Sequence, residues 1–235
     1  MSTIPRPSPT FYEPTELHNG DRMTQEEFHR VYEKMPEHIK AELIGGIVYV
    51  ASPLGLPHGR TDPALISVMF MYCGRTPGVE VCSNTTVKLG RKSEPQPDTF
   101  LRVLPEYGGQ SRTTDDEYVE GAPELVAEVA HSSRSIDLGA KRTDYARNGV
   151  REYIVLSVVD QKVFWFDLPQ DRELPIPEDG ILRSLTFPGL WIDVQGLLSR
   201  DAARLMTTLE KGLASPEHAA FVSKLEEDRQ RLAAK

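Results

Sequence analysis

The stretch ELVAEVAHSSRSIDLGAKRTDYARNG, residues 124–149, decides the fold. Leu125 to Val129 form an apolar run of strand length that reads as buried on both faces, yet it carries a carboxylate at Glu128. A polar, lysine-bearing helix follows at once, with Ser135 as its expected N-cap and Asn148-Gly149 as a left-handed C-cap. A charge inside a buried strand is costly unless it is paired or holds an ion, so Glu128 needs a reason. Asp137, Lys141 and Tyr145 recur every four residues and share one helix stripe. Such a stripe is usually a solvated face with ion pairs worth about a few tenths of a kcal/mol.

Downstream, REYIVLSV (151–158) and KVFWFDL (162–168) predict a strand pair around Val159-Asp160-Gln161. Residues 169–180 read as a loop, and ILRSLTFPGLWIDV (181–194) as a last strand with a closing segment. From Ser199 to Lys235 the chain reads as helical, with a break near Ser215-Pro216.

Upstream, Thr24 and Glu27 form a capping box ahead of Phe28, Val31 and Tyr32, and Pro36 lies just past that helix. AELIGGIVYVAS (41–52) is the strongest hairpin signal, turning at Gly45-Gly46. Asp62 followed by Pro63 predicts a helix start, with Leu65, Val68, Met69 and Tyr72 on the core side. Strands are expected over 79–89 and 98–104, and the polar, aperiodic segment 105–121 reads as a long loop. Residues 1–22, rich in Pro, Ser and Thr, read as a flexible arm. The expected architecture is therefore mixed α/β (α+β), a central sheet covered by helices over residues 23–198, with a helical C-terminal extension at 199–235. A doubly wound parallel sheet fits less well, because hairpins need antiparallel neighbours.

The 235 residues, 39% hydrophobic and 26% charged, suffice for a sizeable core. No apolar run approaches the roughly 20 residues that span a bilayer, and the N-terminus lacks the regions of a secretory signal, so a cytoplasmic, non-membrane protein is expected. Cys73 and Cys82 form neither a disulfide framework nor a metal pair and read as small buried thiols. A net charge of −8 argues against a broad basic footprint for nucleic acid, so any such contact must be local or helped by cations.

Glu42, Asp98, Glu128 and Lys141 fall at the ends of elements. Asp98 opens one strand after Pro97 and Glu128 nears the end of the next, so adjacent pairing would bring both carboxylates to one edge. Two converging carboxylates suit a hard divalent ion, Mg²⁺ or Mn²⁺, and the carbonyl of Val129 could add a ligand. The plainer alternatives are a turn cap for Asp98, a structural ion pair for Glu128, a solvated or capping Glu42 and a surface Lys141. His58, between a strand and a helix, is a candidate for positioning phosphate or a metal-bound water, and His131 follows the acidic strand. Zinc spacings, a Walker loop, a dinucleotide G-x-G-x-x-G and a serine elbow are all absent from the sequence.

Taken in order, AELIGGIVYVAS, His58, PQPDTFLRV (95–103), GAPELVAEVAHSS (121–133), Asp137, Lys141, Tyr145 and NGVREYIVLSV (148–158) resemble the Uma2 family of endonucleases. That family belongs to the restriction-endonuclease-like PD-(D/E)xK superfamily, and the resemblance runs from about Met23 to about Val194. It implies a central mixed sheet with a metal site at one edge, Pro97-Asp98 matching the first acidic motif, Glu128 the second and Glu42 an additional acid. Ala130 stands where a lysine would follow Glu128, and Lys141 matches a lysine migrated to the next helix; His131-Ser132-Ser133 replaces the usual S-P-S. The implied activity is hydrolysis of phosphodiester bonds with Mg²⁺, Mn²⁺ being the substitute, on nucleic acid and DNA in the first place. Asp98 and Glu128 are the implied metal ligands and Asp98, Glu128, Lys141 and Glu42 the catalytic set, with His58, Asp137 and Tyr145 accessory. A catalytically silent binding module and a hydrolase of small phosphoesters are the alternatives, and related nucleases that pair to cut two strands leave room for a homodimer.

Overall fold

The structure, a computed structural model, describes residues 15–36, 38–51 and 55–234. In chain order the elements are α1 (Gln25–Tyr32), β1 (Ala41–Ile44), β2 (Ile47–Val50), α2 (Leu56–Cys73), β3 (Val79–Ser83), β4 (Val87–Lys88) and β5 (Thr99–Val103). There follow β6 (Arg112–Thr113), β7 (Val119–Glu120), β8 (Leu125–Ala130), α3 (Arg134–Ile136), α4 (Arg142–Asn148), β9 (Glu152–Ser157), β10 (Lys162–Asp167) and β11 (Arg172–Glu173). The chain closes with β12 (Ile181–Arg183), β13 (Trp191–Asp193), α5 (Val194–Ser199), α6 (Ala202–Leu213) and α7 (Pro216–Ala233). No helix among the described residues is long and apolar enough to cross a membrane.

A six-stranded sheet in the order β11-β10-β9-β8-β5-β3 organises the molecule. Within it β8 and β9 run parallel and every other neighbour pair antiparallel. The exception follows from the connection: a helical crossover through α3 and α4 returns the chain in the same direction, whereas the connections without an α-helix elsewhere in the sheet reverse it. All six residues of β8 are buried. Leu125, Ala127 and Val129 join one core with α2, α5, α6 and α7 residues such as Leu65, Met69, Leu197, Leu205 and Leu225. Val126 and Ala130 join a second core with Tyr145, Tyr153 and Val155. Burial on both faces, at about 1.5–3 kcal/mol for each Leu or Val side chain, explains the near-continuous apolar pattern of 125–130. The C-terminal helices thus contribute side chains to the main core.

The capping box at Thr24, the hairpin at Gly45-Gly46 and the helix stop at Gly149 form as the sequence predicts, with Gly149 left-handed at φ 95°. Cys73 and Cys82 are free, half-buried thiols. Four expectations differ. First, α2 begins at Leu56, so Asp62 lies inside the helix instead of capping it, and Pro63 is an interior proline. Second, segment 105–121 contains a 3₁₀ turn at Pro105–Tyr107, and β6 and β7 join β4 in a three-stranded sheet. Third, the helix after β8 starts at Arg134, and its Asp137–Lys141 segment is π-helical. Fourth, residues 1–14 of the arm lie outside the described residues, whereas 15–22 pack on the hairpin. There Leu17 is buried in a third core with Phe28, Leu43 and Val48, and Asn19 accepts from the Val50 N–H.

Candidate active site

The site grows from the register of two strands. β5 and β8 pair antiparallel with Thr99 opposite Ala127, which sets Asp98, one residue before β5, beside Glu128. The backbone locks this arrangement reciprocally: the Asp98 N–H donates to Glu128 Oε2 at 3.3 Å and the Val129 N–H to Asp98 Oδ2 at 2.8 Å. Glu42 arrives from the hairpin. Its neighbour Leu43 bridges Glu94, and Glu42 Oε1 accepts from the Gln96 N–H at 2.8 Å, which ties β1 to the segment leading into Asp98.

The π-helical turn supplies the cation. An i→i+5 turn rotates its residues relative to an α-helix and frequently marks a functional position. Here it directs both Asp137 and Lys141 inward, so a stripe that could have been solvated is buried. Lys141 Nζ lies 2.9 Å from Glu42 Oε2, 3.0 Å from Glu128 Oε1 and 3.8 Å from Asp137 Oδ1. Tyr145, one turn on, donates its hydroxyl to Glu128 Oε1 at 2.8 Å. From the opposite side of the sheet, α2 brings His58 Nε2 to 3.1 Å from Asp98 Oδ2. The missing lysine has a simple counterpart: Ala130 is buried on the Glu128 face of β8, and Lys141 reaches the carboxylate from the helix above.

Burial is graded across the cluster. The side chains of Glu128, Lys141 and Asp137 are 4%, 6% and 2% exposed, whereas Asp98 and Glu42 are 15% and 19% exposed and form the solvent side. Burial raises the Glu128 carboxyl far above the usual carboxylate range, and the ammonium of Lys141 opposes that rise. Burial also pushes Asp137 up to about 6, again against Lys141. Burial would lower Lys141, but the surrounding Glu128, Glu42 and Asp137 outweigh it and hold the ammonium charged. Burial likewise disfavours ionised Asp98, yet its bond to His58, the Val129 N–H and Lys141 hold it below the ordinary value. The same bond to Asp98 raises His58. Four carboxyl groups crowd one ammonium where the cluster is partly open, and the raised Glu128 and Asp137 show that they lack enough positive charge, an arrangement that a cation would relieve.

Seven of the residues singled out from the sequence and the resemblance converge: Glu42, His58, Asp98, Glu128, Asp137, Lys141 and Tyr145. His131 is exposed and stands apart. Two participants were not anticipated. Asp62, one turn after His58, keeps a buried Oδ1 with no hydrogen-bond partner, and burial and then the Asp98 charge push its carboxyl up to about 6. Its i,i+4 spacing from His58 was the available signal, hidden by the proline that suggested a cap. Ser133 leaves the helix backbone uncapped and donates its hydroxyl to Asp137 Oδ2 at 2.6 Å.

The model of the Uma2 family, described as "Putative restriction endonuclease", matches residues 25–195. Comparison with curated proteins gives no match. Solved structures similar to this one include "a putative nuclease belonging to DUF820" from Anabaena variabilis ATCC 29413, at a TM-score of 0.59 and 15% identity, covering 75% of this chain and 98% of that one. At that identity the likeness speaks for the fold, which is restriction-endonuclease-like: a mixed central sheet flanked by helices. The family match runs from the first turn of α1 into α5, most of the length of the protein, and the chain belongs to the Uma2 family.

Proposed function

We propose that the protein is a divalent-metal-dependent endonuclease that hydrolyses phosphodiester bonds of nucleic acid, with DNA as the first substrate to test. The observation that carries this reading is the meeting of Asp98, Glu128 and Glu42 with Lys141 at one end of the central strands β5 and β8. The donor set fits Mg²⁺, or Mn²⁺ in its place: the groups are hard carboxylate oxygens, and the bonds to Asp98 from His58 and the Val129 N–H engage Oδ2, while its side chain is more exposed than that of Glu128. Asp98 and Glu128 would hold the ion, which when bound polarises the phosphate, makes water more acidic and stabilises the leaving oxygen.

The chain's own groups have distinct tasks. Lys141 stays protonated between Glu42 and Glu128, so it serves as a fixed positive charge for a developing phosphoryl oxyanion and not as a proton acceptor. Tyr145 fixes the rotamer of Glu128 through its hydroxyl, and Glu42 fixes the ammonium. His58 holds Asp98 from the opposite face through Oδ2. Strand backbone rather than loop backbone carries Glu128 and borders Asp98, so the carboxylates are pre-organised.

The net charge of −8 favours a second reading, hydrolysis of a small phosphoester, which needs no basic groove. Incubating the full chain with single- and double-stranded DNA and RNA and with bis(p-nitrophenyl) phosphate, in Mg²⁺, Mn²⁺ or EDTA, separates the two. Cation-dependent cleavage of polymeric DNA is the expected result. Turnover of the small diester alone would replace the nuclease reading, and no hydrolysis of any substrate would favour a silent binding module.

A further inference from the structure

A second constellation lies on the far side of α1, outside the proposed active site. His29 Nδ1 is 2.8 Å from Oε1 of Glu94, whose side chain is fully buried and also accepts from Gln25 Nε2 at 2.6 Å. A carboxylate accepts, so the ring proton sits on Nδ1 and Nε2 of the neutral imidazole carries the lone pair. The ring is braced edge-on by Tyr118, with centroids 4.9 Å apart. Nε2 is itself buried and makes no hydrogen bond. Glu33 Oε1 nevertheless lies 3.2 Å from it and Asp116 Oδ2 4.0 Å. One ligand atom from each of His29, Glu33 and Asp116 falls within 4.8 Å of the others.

The His29–Glu33 separation suits two ligands sharing one ion, and the exposed Asp116 side chain, 4.0 Å from Nε2, would move inward to complete the set. Two ligands about 2.05 Å from a tetrahedral ion are about 3.3 Å apart, close to the His29–Glu33 spacing. A histidine whose second nitrogen is held by a buried carboxylate is the usual orienting arrangement for a metal-bound imidazole. Asp116 also accepts from Lys88 at 2.7 Å, so an ion competes with that ammonium for one carboxylate.

We propose that His29, Glu33 and Asp116 form a peripheral site for a zinc-class divalent ion, with Glu94 as the buried carboxylate that orients the histidine. The mixed nitrogen and oxygen ligands select a borderline ion over Mg²⁺, which favours oxygen alone. Bound there, the ion clips α1, and with it the hairpin that carries Glu42, to the β6–β7 turn. The proposal stands independently of the nuclease reading.

The test is calorimetric titration of the EDTA-stripped full chain with Zn²⁺ in excess Mg²⁺, repeated with Co²⁺ and its visible absorption. Wild type and Asp98→Asn should each bind one equivalent. His29→Gln should lose it, as should the double variant Glu33→Gln/Asp116→Asn, whose exposed positions leave folding intact. Glu94→Gln should weaken binding about 10–100-fold. Three results would overturn the proposal: no Zn²⁺ binding by wild type, undiminished binding by the Glu33/Asp116 double variant, or loss of the ion in Asp98→Asn.

Discussion

Glu128 and Glu152 are both buried carboxylates of the same sheet, on adjacent parallel strands, and they live by opposite rules. Glu152 opens β9 and is surrounded by neutral donors: Trp165 Nε1 at 2.6 Å, Ser184 Oγ at 2.8 Å and the Thr186 N–H at 2.5 Å. Glu124, just before β8 at that same end, likewise accepts from the Val103 and Gln110 backbones. Glu128, at the other end, is crowded by Asp98, Asp137 and Glu42 and held by one lysine and one tyrosine. Burial raises both carboxyls; at Glu152 hydrogen bonds counter it, whereas at Glu128 like charges add to it. A carboxylate satisfied by neutral donors stabilises a structure. One packed among other carboxylates is costly to hold, a cost that the proposed cation would offset.

The largest effects should separate these two ends. Glu128→Gln should lower phosphodiester cleavage about 10³-fold, the order seen when one preorganised electrostatic group is removed, while single-turnover rates of Glu152→Gln stay within about threefold of wild type per folded molecule. Stability should show the reverse. Glu152→Ala strands the Trp165, Ser184 and Thr186 donors and should cost about 3–5 kcal/mol in urea unfolding. A fully stable Glu152→Ala would erase the contrast.

Lys141→Met sharpens it from the cation side. Left without their ammonium, Glu42 and Glu128 repel, and unfolding should be easier by about 3 kcal/mol. Adding Glu128→Gln should restore more than half of that loss and none of the activity, a coupling that a double-mutant cycle measures.

The smallest effect concerns Asp62 and depends on pH. Its carboxyl is raised to about 6 in the folded chain from an unfolded value of 3.8, so the folded state binds the extra proton between those values. Stability therefore falls as pH rises through that window and stays low above it. With EDTA present, the stability of Asp62→Asn relative to wild type should grow by about 1 kcal/mol between roughly pH 4 and 7, a figure discounted for solvent screening at this partly exposed group. A pH-independent difference would mean that Asp62 titrates normally.

Much of this was legible in the chain, for identifiable reasons. Glu128 stood out because a charge breaks a strand-length apolar run, and Asp98 because Pro97 marks the strand start. Lys141 stood out by its place at the end of an element, but its role came only through the family resemblance, since its spacing from Asp137 and Tyr145 fits a solvated helix face equally well. The π-helical turn that buries it has no signature in local propensity, because it answers to the carboxylates beneath it. Asp62 was misread for a physical reason as well. Asp-Pro is a strong helix-start signal, yet α2 begins at Leu56 and carries Pro63 in its interior, where tertiary context overrides the local signal. The strands of 105–121 escaped notice because two-residue pairings of β7 with β4 and with β6 leave no alternation to detect.

The central claim is that the crowded carboxylate edge does chemistry. Its most direct test is the single-turnover rate of double-stranded DNA cleavage in Mg²⁺ by wild type and by folded Asp98→Asn, which keeps the size of the side chain and removes its charge. The account predicts cation-dependent cleavage by wild type and a loss of about 10³-fold or more in the variant at an unchanged unfolding midpoint within about 1 kcal/mol. Equal rates for the two proteins would contradict it.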